Sequence, residues 1–123
     1  MDIKKLELAL KQSFSAETSQ GRNVWQKNNP AYGHCALAVL IVQDHFGGEI
    51  IFASAKLPDN REVKHYFNKI NNEIVDLTRS QFPLGTVITN KDFPGDIRKS
   101  LLSYSETLRK YNILREKVGK IIE

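Results

Sequence analysis

The segment Cys35-Ala36-Leu37-Ala38-Val39-Leu40-Ile41-Val42 is an unbroken apolar run, and the rest of the chain must fold around it. A buried strand and a buried helix can both present such a run. Ala36 and Ala38, the continuation through Gln43-Asp44-His45-Phe46 and the stop at Gly47-Gly48 favour a helix. A helix that is apolar on nearly every side belongs at the centre of a domain. Gly33 just before it allows a tight entry. With 123 residues, 41% of them hydrophobic, the chain can bury one core around this helix, so residues 1–123 read as a single domain.

The flanking segments read as an α+β arrangement. Ile3, Leu6, Leu8, Leu10 and Phe14 predict a first helix, with Lys4, Lys5, Glu7 and Lys11 on its other face. Residues 15–32 are rich in Ser, Asn, Gly and Pro and read as a long ordered loop, which Trp25 and Tyr32 are expected to anchor to the body of the domain. After Gly48 the periodicity changes. Residues 49–53 predict a strand and residues 57–60 a turn. Residues 63–70 and 73–78 predict two strands joined at Asn71-Asn72. Residues 82–85 are expected to close the sheet, with Val87-Ile88 a further extended piece. Ser103 and Glu106 have the spacing of a capping box, which predicts a break between a helix over 96–102 and one over 104–120. Leu108, Tyr111, Leu114 and Val118 are the expected core stripe of the second.

Several function classes fit poorly. No apolar run reaches the roughly 18–20 residues of a membrane span. The first fifteen residues lack an apolar signal-peptide core. A single cysteine allows no internal disulfide, and a cytoplasmic setting is the default reading. The net charge of +4 is spread over the first and last quarters and interleaved with Glu106, Glu116 and Glu123. That is the pattern of a solvated helix face and argues against a nucleic-acid footprint. His34, Cys35 and His45 match no zinc-ligand spacing, and no Gly-rich phosphate loop follows a strand. No metal or cofactor is expected.

Thiol nucleophilic catalysis needs a cysteine, a histidine to take its proton and a carboxylate or amide to orient the histidine. Cys35 falls in the first turn of the central helix, where unpaired N–H groups and the macrodipole favour a thiolate and supply part of an oxyanion hole. If Asn71-Asn72 is a two-residue loop, Ile70 pairs with Glu73 and Phe67 faces Asp76. His65, Phe67, Asp76 and Thr78 then share one face. Asp76 lies diagonal to His65, and diagonal Cβ atoms are about 7–8 Å apart, within reach of a His–Asp hydrogen bond. The same residues have a structural reading. A lone cysteine in an apolar run also suits a small core residue, a lone strand histidine is commonly structural, and Asp76 could bond only a nearby backbone N–H.

The segments Asn29-Pro30-Ala31-Tyr32-Gly33-His34-Cys35, Val42 to Ile50, His65-Tyr66-Phe67-Asn68 and Asp76 to Phe82 resemble the YunG-like family of small bacterial proteins. The motifs mark the family without specifying an activity. More broadly, the order of helix-borne Cys, strand-borne His and next-strand Asp is similar to the papain-like superfamily, including its transglutaminase-core and NlpC-type branches. That resemblance implies a papain-like fold, with a central Cys-bearing helix on a small antiparallel sheet between N- and C-terminal helices. It implies Cys35 as nucleophile, His65 as general base and acid, and Asp76 as the residue orienting His65. It also implies an upstream amide in the oxyanion hole, for which Asn29 and Asn28 are the candidates. His34 stands where a YunG-like sequence is expected to carry Gln, which makes it a second imidazole beside the thiol. The function expected is a thiol hydrolase or acyl-transferase acting on a peptide or amide-type substrate. The alternative is a non-catalytic interaction module on the same fold.

Overall fold

The central apolar run is a helix. In a computed structural model, which describes residues 2–122, the chain forms α1 (Ile3–Ser13), α2 (Cys35–Phe46), β1 (Glu49–Lys56), β2 (Glu62–Ile70), β3 (Glu73–Val75), β4 (Val87–Asn90), α3 (Ile97–Leu102) and α4 (Ser105–Ile122). The architecture is α+β: four α-helices and one antiparallel sheet in the order β3-β2-β1-β4. In α2 every residue from Ala36 to Val42 is buried. Leu6 and Leu10 of α1, and Tyr111, Leu114 and Val118 of α4, join them in one hydrophobic cluster. Among the described residues no helix is long and apolar enough to cross a membrane.

Local chemistry sets the boundaries. Asp2 caps α1 by accepting from the Lys5 N–H at 2.8 Å. Gly47 (φ 70°) closes α2, and its N–H donates to the Gln43 carbonyl. A Cβ at Gly48 would stand 2.5 Å from the Lys69 carbonyl oxygen, so β1 can start beside the end of β2 only with glycine there. The far end of α2 is tied to the C-terminal helices. Arg98 holds Asp44 at 2.6 Å, and the Tyr111 hydroxyl donates to the other oxygen of the same carboxylate.

The hairpin has the expected register. Asn71 and Asn72 both adopt positive φ (52° and 66°), as a two-residue primed turn requires, and Ile70 pairs with Glu73. Ile50, Tyr66 and Ile70 of the sheet pack into the core cluster, and the Asn68 amide donates to the Val39 carbonyl of α2 at 3.1 Å. His65 and Phe67 alternate with these residues and point to the other face of β2.

Five expectations need correction. The third strand ends at Val75 rather than at residue 78, because Asp76 Oδ1 accepts the Thr78 N–H at 3.3 Å and turns the chain into a short 3₁₀ turn over Arg79–Gln81. β1 runs on to Lys56, and the sheet is closed by β4 over Val87–Asn90, with residues 82–85 only connecting. The break between α3 and α4 falls where expected, but Ser103 donates to the Ser100 carbonyl at 2.6 Å and Glu106 is bound by Arg109, so no capping box forms. Leu108 is exposed and leaves the core stripe to Tyr111, Leu114 and Val118.

Candidate active site

Cys35 is the first residue of α2 and is partly exposed. Four residues upstream of a helix residue would normally supply its hydrogen-bond acceptor, but at the first turn that acceptor lies outside the helix. Among the described residues the Cys35 N–H meets no backbone acceptor, whereas the His34 N–H is taken by Ala31 O at 3.0 Å. The helix head therefore offers a free donor beside the thiol.

His65 is fully buried on β2. Its Nε2 meets Asp76 Oδ2 at 2.7 Å, one residue beyond the end of β3. The 13% exposure of Asp76 leaves little water to weaken that contact. Phe82 packs edge-on to the ring at 4.9 Å between centroids and walls it from solvent. The other nitrogen, Nδ1, is buried and has no hydrogen-bond partner among the described residues. Burial alone pulls the imidazole's pKa down. The Asp76 hydrogen bond and a weaker interaction with the Cys35 thiol, together with the charges of both, push it up instead, to about 9. Cys35 thus acts on the ring without a well-formed bond to it. With Nε2 committed to Asp76, Nδ1 is the atom left for the thiol.

His34 is equally buried but has no spare nitrogen. Its Nδ1–H donates to the Tyr32 carbonyl at 3.0 Å, so its Nε2 accepts from the Thr18 hydroxyl at 2.8 Å. The ring stacks on Phe14 at 4.2 Å. Burial drives its pKa down to about 4, helped by the charge of Lys110 and opposed by the backbone acceptors. It is a neutral imidazole with both nitrogens bonded.

The amide candidates are not brought to the thiol. Asn29 Nδ2 donates to the Gln81 carbonyl at 3.1 Å, and Asn28 is exposed; neither lines a groove that contains Cys35. Gln20 does. It shares with Cys35 both grooves that open at the helix head, one of about 530 Å³ and one of about 310 Å³. Two strands of loop cross to bring it there. The Gln20 N–H donates to Gly33 O at 3.0 Å, and Ser19 Oγ donates to the Tyr32 carbonyl at 2.8 Å. A Cβ at Gly33 (φ 75°) would stand 2.3 Å from Ser19 Oγ and 2.9 Å from the Gln20 nitrogen, so only glycine permits the crossing. Gly33 signalled a tight entry in the sequence, but nothing in the spacing of Gln20 and Cys35 marks them as neighbours. Trp25 and Tyr32 brace the loop against itself: the indole donates to Pro30 O at 3.0 Å, and the Tyr32 ring lies over Gly21.

The family model described as "YunG protein" matches residues 2–123. The uncharacterised protein YunG of Bacillus subtilis (strain 168) is 31% identical over 114 residues, covering 93% of this chain and 89% of that relative. No solved structure matches significantly.

Proposed function

The chain belongs to the YunG family, and we propose that it is a papain-like thiol hydrolase or acyl-transferase in which Cys35, His65 and Asp76 carry the chemistry. The observation that carries this reading is the Asp76–His65 hydrogen bond, which leaves one buried histidine nitrogen open beside a cysteine at a helix head. A structural histidine ends with both nitrogens satisfied, as His34 does. His65 has one nitrogen in reserve and a raised pKa, which suits it to hold the thiol's proton.

In the proposed reaction the Cys35 sulfur attacks the carbonyl carbon of an amide while its proton rests on His65 Nδ1. The carbonyl oxygen takes up the negative charge against the free Cys35 N–H and the side-chain amide of Gln20. The C–N bond then breaks as Nδ1–H protonates the leaving amine, giving a thioester on Sγ. Water or an amine acceptor next gives a proton to Nδ1 and attacks the thioester carbon. Collapse breaks the C–S bond and expels the Cys35 sulfur as a thiolate, which restores the starting pair with the imidazolium. Asp76 orients the ring and stabilises the imidazolium throughout. The acceptor decides between hydrolysis and acyl transfer.

Native protein titrated with an iodoacetamide probe tests this reading. The folded chain should be alkylated at pH 6 faster than the urea-unfolded chain, because only the folded state pairs the sulfur with His65. A thiol that reacts only upon unfolding would instead identify Cys35 as a packed residue of a non-catalytic interaction module.

A further inference from the structure

The two grooves flanking Cys35 have three residues in common: Gln20, Cys35 and Lys64. The thiol therefore sits at a junction, with protein surface on both sides of the point of attack. A free amide or a chain terminus would need only one of these surfaces. Their volumes, about 530 Å³ and about 310 Å³, suit a chain of several residues. The larger groove is walled by Tyr66, Phe93 and Leu101, and the smaller by Leu57, Val63 and Phe82.

The charges at the junction are one-sided. Lys64 is exposed and takes part in no ion pair or side-chain hydrogen bond among the described residues, Glu62 on the same strand included. The smaller groove adds Arg61, which Asp59 holds at 2.8 Å, and no carboxylate among the described residues lines it. The larger adds Lys110, whose Nζ donates to the uncharged Ser19 carbonyl at 3.1 Å. The carboxylate there, Glu106, is gripped by Arg109 through two bonds of 3.0 Å. An uncompensated ammonium thus remains between the two channels, next in sequence to His65.

Resting on the proposed role of Cys35, we infer that the substrate is an acidic peptide chain that occupies both grooves, with an anionic side chain seated against Lys64. Lys64 is then the specificity-determining residue of the site. It attracts carboxylates to the junction and repels basic segments, an effect that added salt screens.

Epoxysuccinyl probes test this, because their electrophile sits between two arms and each arm can carry a dipeptide. Glu-bearing probes should inactivate the wild-type thiol about tenfold faster than Lys-bearing ones at low salt, with the ratio shrinking at high salt. A probe with both arms extended should outpace either one-armed form. Lys64→Gln should bring the Glu:Lys ratio near one, and Lys64→Glu should invert it. A wild-type ratio of one, a ratio unchanged in both variants, or a second arm that adds nothing would overturn the inference. The neutral iodoacetamide reaction, run in parallel on wild type and His65→Ala, reports the thiol chemistry separately. If that reaction depends on His65 while the acidic probes show no preference, the acidic peptide is wrong and the thiol enzyme stands. If it does not depend on His65, the proposed function itself has failed.

Discussion

His34 and His65 both adjoin Cys35, one along the chain and the other through space, and both are fully buried. They nevertheless ionise in opposite directions. His34 lies in a neutral cage of Thr18, Tyr32 O and the Phe14 ring, with a cationic neighbour in Lys110, and its pKa falls to about 4. His65 is opposed by the same burial but faces a carboxylate and a thiol, and its pKa rises to about 9. Burial is therefore not what distinguishes an imidazole built for packing from one built to hold a proton. The charge of the partner distinguishes them, together with whether one nitrogen is left uncommitted.

The largest test of the contrast is kinetic. His65→Ala should slow alkylation of Cys35 at pH 6 by on the order of 10²-fold, because the sulfur loses its imidazolium partner. Asp76→Asn keeps the hairpin and weakens the orienting bond, so a loss of about tenfold is expected in the same assay. His34→Gln should leave the rate-against-pH curve within about twofold of wild type. Equal curves for wild type and His65→Ala would dissolve the distinction between the two histidines.

The next effect is on stability and follows from the signs of the shifts. His65 has a raised folded pKa, so its contribution is complete below the ordinary 6.5 and is lost as pH climbs through about 9. His34 has a depressed one, so its neutral form favours the folded state above 6.5, and that contribution is lost as pH falls toward about 4. Urea midpoints should therefore peak near pH 6.5, with each limb worth on the order of 1–3 kcal/mol. His34→Gln should flatten the acid limb and His65→Ala the alkaline one. A profile in which either variant flattens the opposite limb would reverse the assignment. At pH 6.5 itself, His34→Gln should cost about 1–2 kcal/mol, since glutamine can replace the polar contacts but not the stack on Phe14.

The sequence carried the His65 side of this contrast better than the His34 side. The apolar run with Gly47-Gly48 marked α2 because burial on every side and a left-handed stop are both local properties. Asn71-Asn72 fixed the hairpin register, which brought His65 and Asp76 within reach although β3 stops at Val75. That early stop comes from Asp76 bonding Thr78, so the carboxylate serves a turn and a histidine at once. The surroundings of His34 were hidden because they come from Thr18, sixteen residues upstream, and from a loop crossing over Gly33. The same crossing brings in Gln20, whereas Asn29 has the right chemistry but gives its amide to Gln81 O. Contacts made by a folded loop leave no periodicity to read.

The smallest expected effect is the most discriminating, because it concerns the one residue that the two histidines share. Cys35→Ser is nearly isosteric, and position 35 is partly exposed and open to two grooves, so the new hydroxyl can be solvated. Stability should change by less than about 1 kcal/mol, below the roughly 1–3 kcal/mol of an unpaired hydroxyl in a sealed core. The histidines should respond unequally. The thiol's proximity and charge are part of what raises His65, so its midpoint, followed by the ring-proton shifts in NMR, should drop below about 9 while the Asp76 bond keeps it above 6.5. The leading influences on His34 are burial, its backbone acceptors and Lys110, so its midpoint should stay at about 4. If His65 does not move in Cys35→Ser, its raised pKa belongs to Asp76 alone and the sulfur is a bystander. If both histidines move, the substitution has disturbed the helix head as a whole, and the separation between the two imidazoles is lost.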